Sequence, residues 1–101
     1  MNVVEIEEID DCYESSFVRD IYIDESISEE FVYYLAEFGK LIFQKEIAKP
    51  YFKVIVKGRF TIKGALTNKG MRVLFPDDEY FGLDSIINKI KAYESKSEDI
   101  K

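Results

Sequence analysis

The chain has 101 residues, with 20 acids, 14 bases and no histidine, a net charge of −6, one cysteine, seven tyrosines and eight phenylalanines. That length and aromatic content suffice for one hydrophobic core without metal or disulfide support. The same numbers exclude an internal disulfide and histidine-based acid–base or metal chemistry, and no apolar run approaches the roughly 18 residues of a membrane-spanning helix. Cys12 as the lone cysteine and the lack of a charged-then-apolar leader read as a protein of a reducing, cytoplasmic setting that does not enter a membrane.

The charge is segregated along the chain. Residues 1–39 hold twelve acids against Arg19 alone, for −11, whereas residues 40–75 hold nine bases against Glu46, for +8; residues 76–101 add −3. A modest net charge thus conceals a bipolar molecule, and the surface that meets a partner matters more than the total.

In chain order, residues 3–9 predict a short strand with Val4 and Ile6 on one side. Residues 10–16 form a polar loop that lacks the alternating acids, glycine and distal glutamate of a calcium loop. Three carboxylates around Cys12 disfavour its thiolate and argue against a nucleophile. Residues 17–23 predict a second strand, with Phe17, Ile21 and Ile23 alternating toward a core.

Ser26 followed by Glu29 has capping-box spacing, Ile27, Phe31, Tyr34, Leu35 and Phe38 recur at helical spacing, and Gly39 stands where a C-cap is wanted. A helix over about 27–38 is expected, its aromatic stripe facing the core. Residues 41–47 then predict a strand closed by Ala48-Lys49-Pro50, with Ile47 opposite Phe52 and Phe43 opposite Val56.

Over residues 51–66 the even positions read Phe52, Val54, Val56, Gly58, Phe60, Ile62, Gly64 and Leu66. The odd positions read Tyr51, Lys53, Ile55, Lys57, Arg59, Thr61, Lys63 and Ala65. Period-2 alternation places the even set on a core and the odd set mostly in water. A two-residue turn at Lys57-Gly58 would pair Val56 with Arg59 and mix the faces, so the unbroken parity predicts one long strand, bent at Gly58 and Gly64. The turn signal Thr67-Asn68-Lys69-Gly70 leads into a further strand ending at Pro76, with Leu66 opposite Met71 and Ile62 opposite Phe75. After the acidic Asp77-Asp78-Glu79, read as helix-leading charge rather than a cation site, Leu83, Ile86, Ile87 and Ile90 mark a second helix over about 83–94, with Asp84 or an earlier aspartate as its cap.

The expected architecture is an α+β two-layer sandwich. A curved, mainly antiparallel sheet of four or five strands carries both helices on one face, in a single domain over 1–94 with a polar, disordered tail at 95–101. The other face then carries Tyr51, Lys53, Lys57, Arg59 and Lys63, a basic stripe with an aromatic in it, which is the candidate partner- or phosphate-binding surface. The leading functional expectation is a non-catalytic interaction or regulatory module whose partner is another protein or a second copy of itself. Nucleic acid on the basic stripe, and a small molecule held between the sheet and the first helix by Phe31, Phe52 and their neighbours, are the alternatives. No Gly-rich phosphate loop, nucleophile elbow or metal-ligand spacing is present, so neither an enzyme nor a cofactor or metal is expected.

Overall fold

A computed structural model of the chain describes residues 1–9, 17–76 and 80–93. The 10–16 loop with Cys12, the acidic 77–79 cluster and the 95–101 tail lie outside the described residues. Six strands, β1 (Val3–Ile9), β2 (Phe17–Ile23), β3 (Lys40–Gln44), β4 (Tyr51–Val56), β5 (Phe60–Ala65) and β6 (Gly70–Phe75), form one antiparallel sheet with helices α1 (Glu29–Leu35) and α2 (Leu83–Ala92). The strand order is β1-β2-β6-β5-β4-β3. The chain therefore leaves β2, passes through α1 to the far edge at β3, and meanders back until β6 closes against β2.

The class is the expected α+β, with six strands in place of four or five. The segment 51–66 is not one long bent strand but the hairpin β4–β5, with Val56 opposite Phe60, Val54 opposite Ile62 and Phe52 opposite Gly64. Its loop is three residues, 57–59. An odd loop sets even positions against even positions and keeps every side chain on its face, so the alternation that excluded a two-residue turn is satisfied by a three-residue one. Gly58 at φ 79° supplies the left-handed residue that such a loop uses.

Two other registers slide by an even number of residues and so keep their faces. Ile62 lies opposite Val73 rather than Phe75, because the 66–69 connection is tied to the segment before α1: Thr67 N–H donates to the Ile27 carbonyl at 2.9 Å and Ile27 N–H to the Asn68 carbonyl at 2.8 Å. Phe43 lies opposite Phe52 rather than Val56, and β3 ends at Gln44, leaving a six-residue connection before β4.

One core lies under one face of the sheet. Ile21, Phe52, Val54, Ile62, Met71, Val73 and Phe75 cluster there with Phe31, Val32 and Leu35 of α1 and Ile86 and Ile90 of α2, which places both helices on that face. Helix α1 is capped by Ser28, whose Oγ accepts from Phe31 N–H at 3.2 Å, two residues later than Ser26, and a 3-10 turn at Ala36–Phe38 completes it. Gly39 has an extended φ of −175°; its glycine is needed because a Cβ there would overlap the Ile55 carbonyl oxygen. Gly82, at φ 100°, precedes α2 with no side-chain cap, so Asp84 acts only as a first-turn acid.

At β1 a register shift between Val3 and Glu5 leaves Val4 65 % exposed, while Val3 packs against the core. Phe17 is also exposed, standing edge-on to Tyr80 at the end of β2 rather than in the core. The helices are joined by Tyr34 Oη, which donates to the Lys89 carbonyl at 2.6 Å, and by Lys89 with Glu37 at 2.7 Å. No described helix is long and apolar enough to cross a membrane.

Candidate functional site, the uncovered sheet face

The face opposite the helices is built from the other parity of every strand, and its rows follow from the register. One row runs Glu7–Asp20–Arg72–Lys63–Lys53–Ile42, each residue directly opposite the next across β1, β2, β6, β5, β4 and β3. It changes sign between β2 and β6. A neighbouring row is largely apolar, with Val18, Leu74, Thr61 and Ile55. The row on the other side joins Glu5 and Tyr22, with Gly70 beside Tyr22, and Ala65 and Tyr51.

The five residues expected to form one straight stripe are redistributed by the hairpin. Tyr51, Lys53 and Lys63 share the uncovered face, with Lys53 and Lys63 directly opposite one another. Lys57 and Arg59 are exposed in the 57–59 loop, and the Arg59 guanidinium lies 5.6 Å from the Phe81 ring centre. The four cations line one depression of about 510 Å³ together with Ile55, Thr61 and Leu74. A second depression of about 540 Å³ has Tyr22 and Tyr51 among its walls and Ala65 and Gly70 among its small residues, and shares Lys63 with the first.

The acids of this face were not singled out by the sequence pattern. Asp20 accepts a two-point bond from Arg72, Nε to Oδ1 at 2.8 Å and the terminal nitrogen to Oδ2 at 3.1 Å. Tyr22 Oη donates to Glu7 Oε1 at 2.8 Å, and this bond, followed by partial burial and the charges of Glu7, Asp20 and Glu5, raises the Tyr22 phenol above its ordinary value. Neither Lys53 nor Lys63 has an ion-pair partner among the described residues. The parity of β2 and β6 places Asp20, Tyr22 and Arg72 on the solvent side; what makes them part of the same site as Lys53 is the pairing of β6 with β2, which no local pattern announces.

Among the described residues no three acidic, cysteine or histidine side chains gather as a metal site. Beneath the sheet, Phe31, Leu35, Phe52, Val54 and Ile62 are fully buried in one cluster, so the aromatics between sheet and first helix pack on each other. What the uncovered face offers chemically is therefore fixed charge of both signs, flanked by aliphatic and aromatic surface. No family model, curated protein or solved structure matches this chain.

Proposed function

We propose that the chain is a non-catalytic protein-interaction module of regulatory type, and that its docking surface is the uncovered sheet face. The observation that carries this is the row from Glu7 to Lys53, in which two acids and three bases are ordered across five adjacent strands. A surface that presents both signs in a fixed order selects a partner by complementary charge and steers its approach, more than it supplies raw affinity. The flanking Leu74, Ile55, Tyr22 and Tyr51, each at least partly exposed, supply apolar and aromatic area of the kind that anchors an interface.

Nucleic acid is a second reading, favoured by the depression ringed by Lys53, Lys57, Arg59 and Lys63. Against it stand Glu7 and Asp20 on the same face: a polyanion lying across the strands beyond β6 meets carboxylates instead of cations. The acid half of the row thus favours a protein partner.

A photo-cross-linking amino acid at Tyr51, on the uncovered face, tests this against the same probe at Tyr33, which is 49 % exposed on α1. Protein adducts formed in cells from position 51 and absent from position 33 are the expected result. Adducts to nucleic acid from position 51 would transfer the surface to the second reading, and equal or no adducts at the two positions would remove the proposal.

A further inference from the structure

The row across the uncovered face reverses sign about β6. Glu7 on β1 and Asp20 on β2 lie to one side, Lys63 on β5 and Lys53 on β4 to the other, and Arg72 on β6 is already joined to Asp20. Within one copy this order is unfavourable at both ends. Glu7 stands directly opposite Asp20, and Lys53 directly opposite Lys63, and like charges so opposed destabilise a strand pair. Interchanging a charge at either end would relieve the monomer. The arrangement becomes favourable when a face with the reversed order is laid on it.

A second copy of this chain is such a face. We infer that the chain forms an isologous dimer through its uncovered sheet face, with the two-fold axis along β6, so that Glu7 meets the partner's Lys53 and Asp20 meets the partner's Lys63. This rests on the reading of that face as an interaction surface and names its occupant. The same rotation sets Leu74, and Arg72 with its charge already bonded to Asp20, each against its own symmetry mate, and brings Tyr22 over the small residue Ala65 of the partner subunit, beside Gly70. Packed sheets lie about 10 Å apart, a gap that a lysine and a glutamate reaching toward each other span. An isologous interface requires a self-complementary patch, and reversal about β6 supplies one.

Five strands about 4.8 Å apart, each showing about three outward residues, cover on the order of 500 Å² per copy, at the small end of specific interfaces. The dimer is accordingly weak and held largely by charge, so salt dissociates it.

The test is sedimentation of the whole chain at low and high ionic strength, with Glu7→Lys, Lys53→Glu and an equimolar mixture of the two. Each substitution replaces a like-charge opposition by an opposite-charge one within its own sheet, so both variants keep the fold. The wild type is expected to dimerise at low salt, with dissociation constants raised about tenfold or more by 0.5 M salt and by either substitution. The mixture is expected to recover a one-to-one heterodimer, because Glu7 then meets Lys53 across one contact and the two introduced charges meet across the other. A wild type that stays monomeric at every salt, variants that dimerise like the wild type, or a mixture that stays monomeric would each overturn the dimer. If the chain is monomeric yet cross-links another protein from position 51, the dimer fails and the interaction surface stands; if it does neither, both fail.

Discussion

Lys53 and Lys63 face each other across the β4–β5 hairpin, directly opposed on the side of the sheet that the helices leave uncovered. Two like charges in directly paired positions destabilise the strands that carry them, by a few tenths of a kcal/mol up to about 1 kcal/mol. Folding stability alone does not account for this arrangement; the docking role proposed for this face would.

Lys53→Glu should therefore stabilise the isolated monomer. The expected gain is about 0.5 kcal/mol at low salt, shrinking as salt screens the new pair. Urea unfolding at high dilution measures it free of any self-association. An unchanged or lowered midpoint would mean that the two ammonium groups already avoid each other at no cost.

Gly39 and Gly58 are small for different reasons, and substitution separates them. At Gly58 the backbone is left-handed and nothing lies within 4 Å of an added Cβ. Alanine there should cost about 1 kcal/mol, and asparagine clearly less, because its side chain tolerates that conformation. At Gly39 the backbone is extended but a Cβ meets the Ile55 carbonyl and the Val56 side chain. Alanine and asparagine should there be equally damaging, by about 2 kcal/mol or more, since a strand backbone has to move. Thermal melts of the four variants decide it; asparagine rescuing position 39 would show that the crowding is relieved by a small shift.

The hairpin shows what alternation does and does not contain. The parity of residues 51–66 correctly divides core from surface, and Phe52, Val54 and Ile62 are fully buried as that division requires. Yet a three-residue loop leaves parity untouched, so the same pattern is compatible with one long strand or with a hairpin, and it is the pairing of β4 with β5 around a left-handed Gly58 that distinguishes them. The registers of β3 and β6 slid by even steps for the same reason: a two- or four-residue shift preserves every face, and backbone bonds outside the strands choose among the shifts. The two helices were legible from spacing, but their caps moved to Ser28 and Gly82 because segments tied to the sheet fix where each helix begins. The candidate site was half legible. Lys53, Lys63 and Tyr51 follow from parity within one segment, whereas Glu7, Asp20, Tyr22 and Arg72 join them through the long-range pairing of β6 with β2.

Tyr34 links the two helices through one bond to the Lys89 carbonyl, at 2.6 Å and partly buried. Tyr34→Phe keeps the ring, including its packing against Phe31 and Tyr93, and removes the donor. The expected loss is about 1 kcal/mol, with faster amide exchange in α2 than in the sheet. Uniform exchange across the molecule would show that the helices do not open separately.

The acid limb of stability should come from two exposed clasps that salt tells apart. The Asp24 carboxylate accepts from Asn2 N–H at 2.9 Å and from its side-chain nitrogen at 3.0 Å, and chiefly through the backbone bond it is held below its ordinary value. Glu29 is lowered chiefly by its bond to Lys45, 2.7 Å away, and Lys45 is raised in turn. A carboxylate lowered in the folded state binds fewer protons there than in the unfolded chain, so its contribution is complete above the ordinary value and is lost as pH falls through the lowered one. Both clasps therefore weaken below about pH 4. Of these two clasps the Lys45 pair alone responds on the alkaline side: a raised ammonium contributes fully below its ordinary value and loses that contribution as pH climbs through the raised one. Asp24→Asn should flatten the acid limb equally at low and high salt, because its partners are neutral donors. Glu29→Gln should flatten it at low salt and have little effect at high salt, where an exposed ion pair is already screened. Unfolding midpoints measured between pH 2.5 and 7 at both salts test the distinction, and an Asp24→Asn effect that vanishes in high salt would show that its shift comes from charge rather than from the bonds to Asn2.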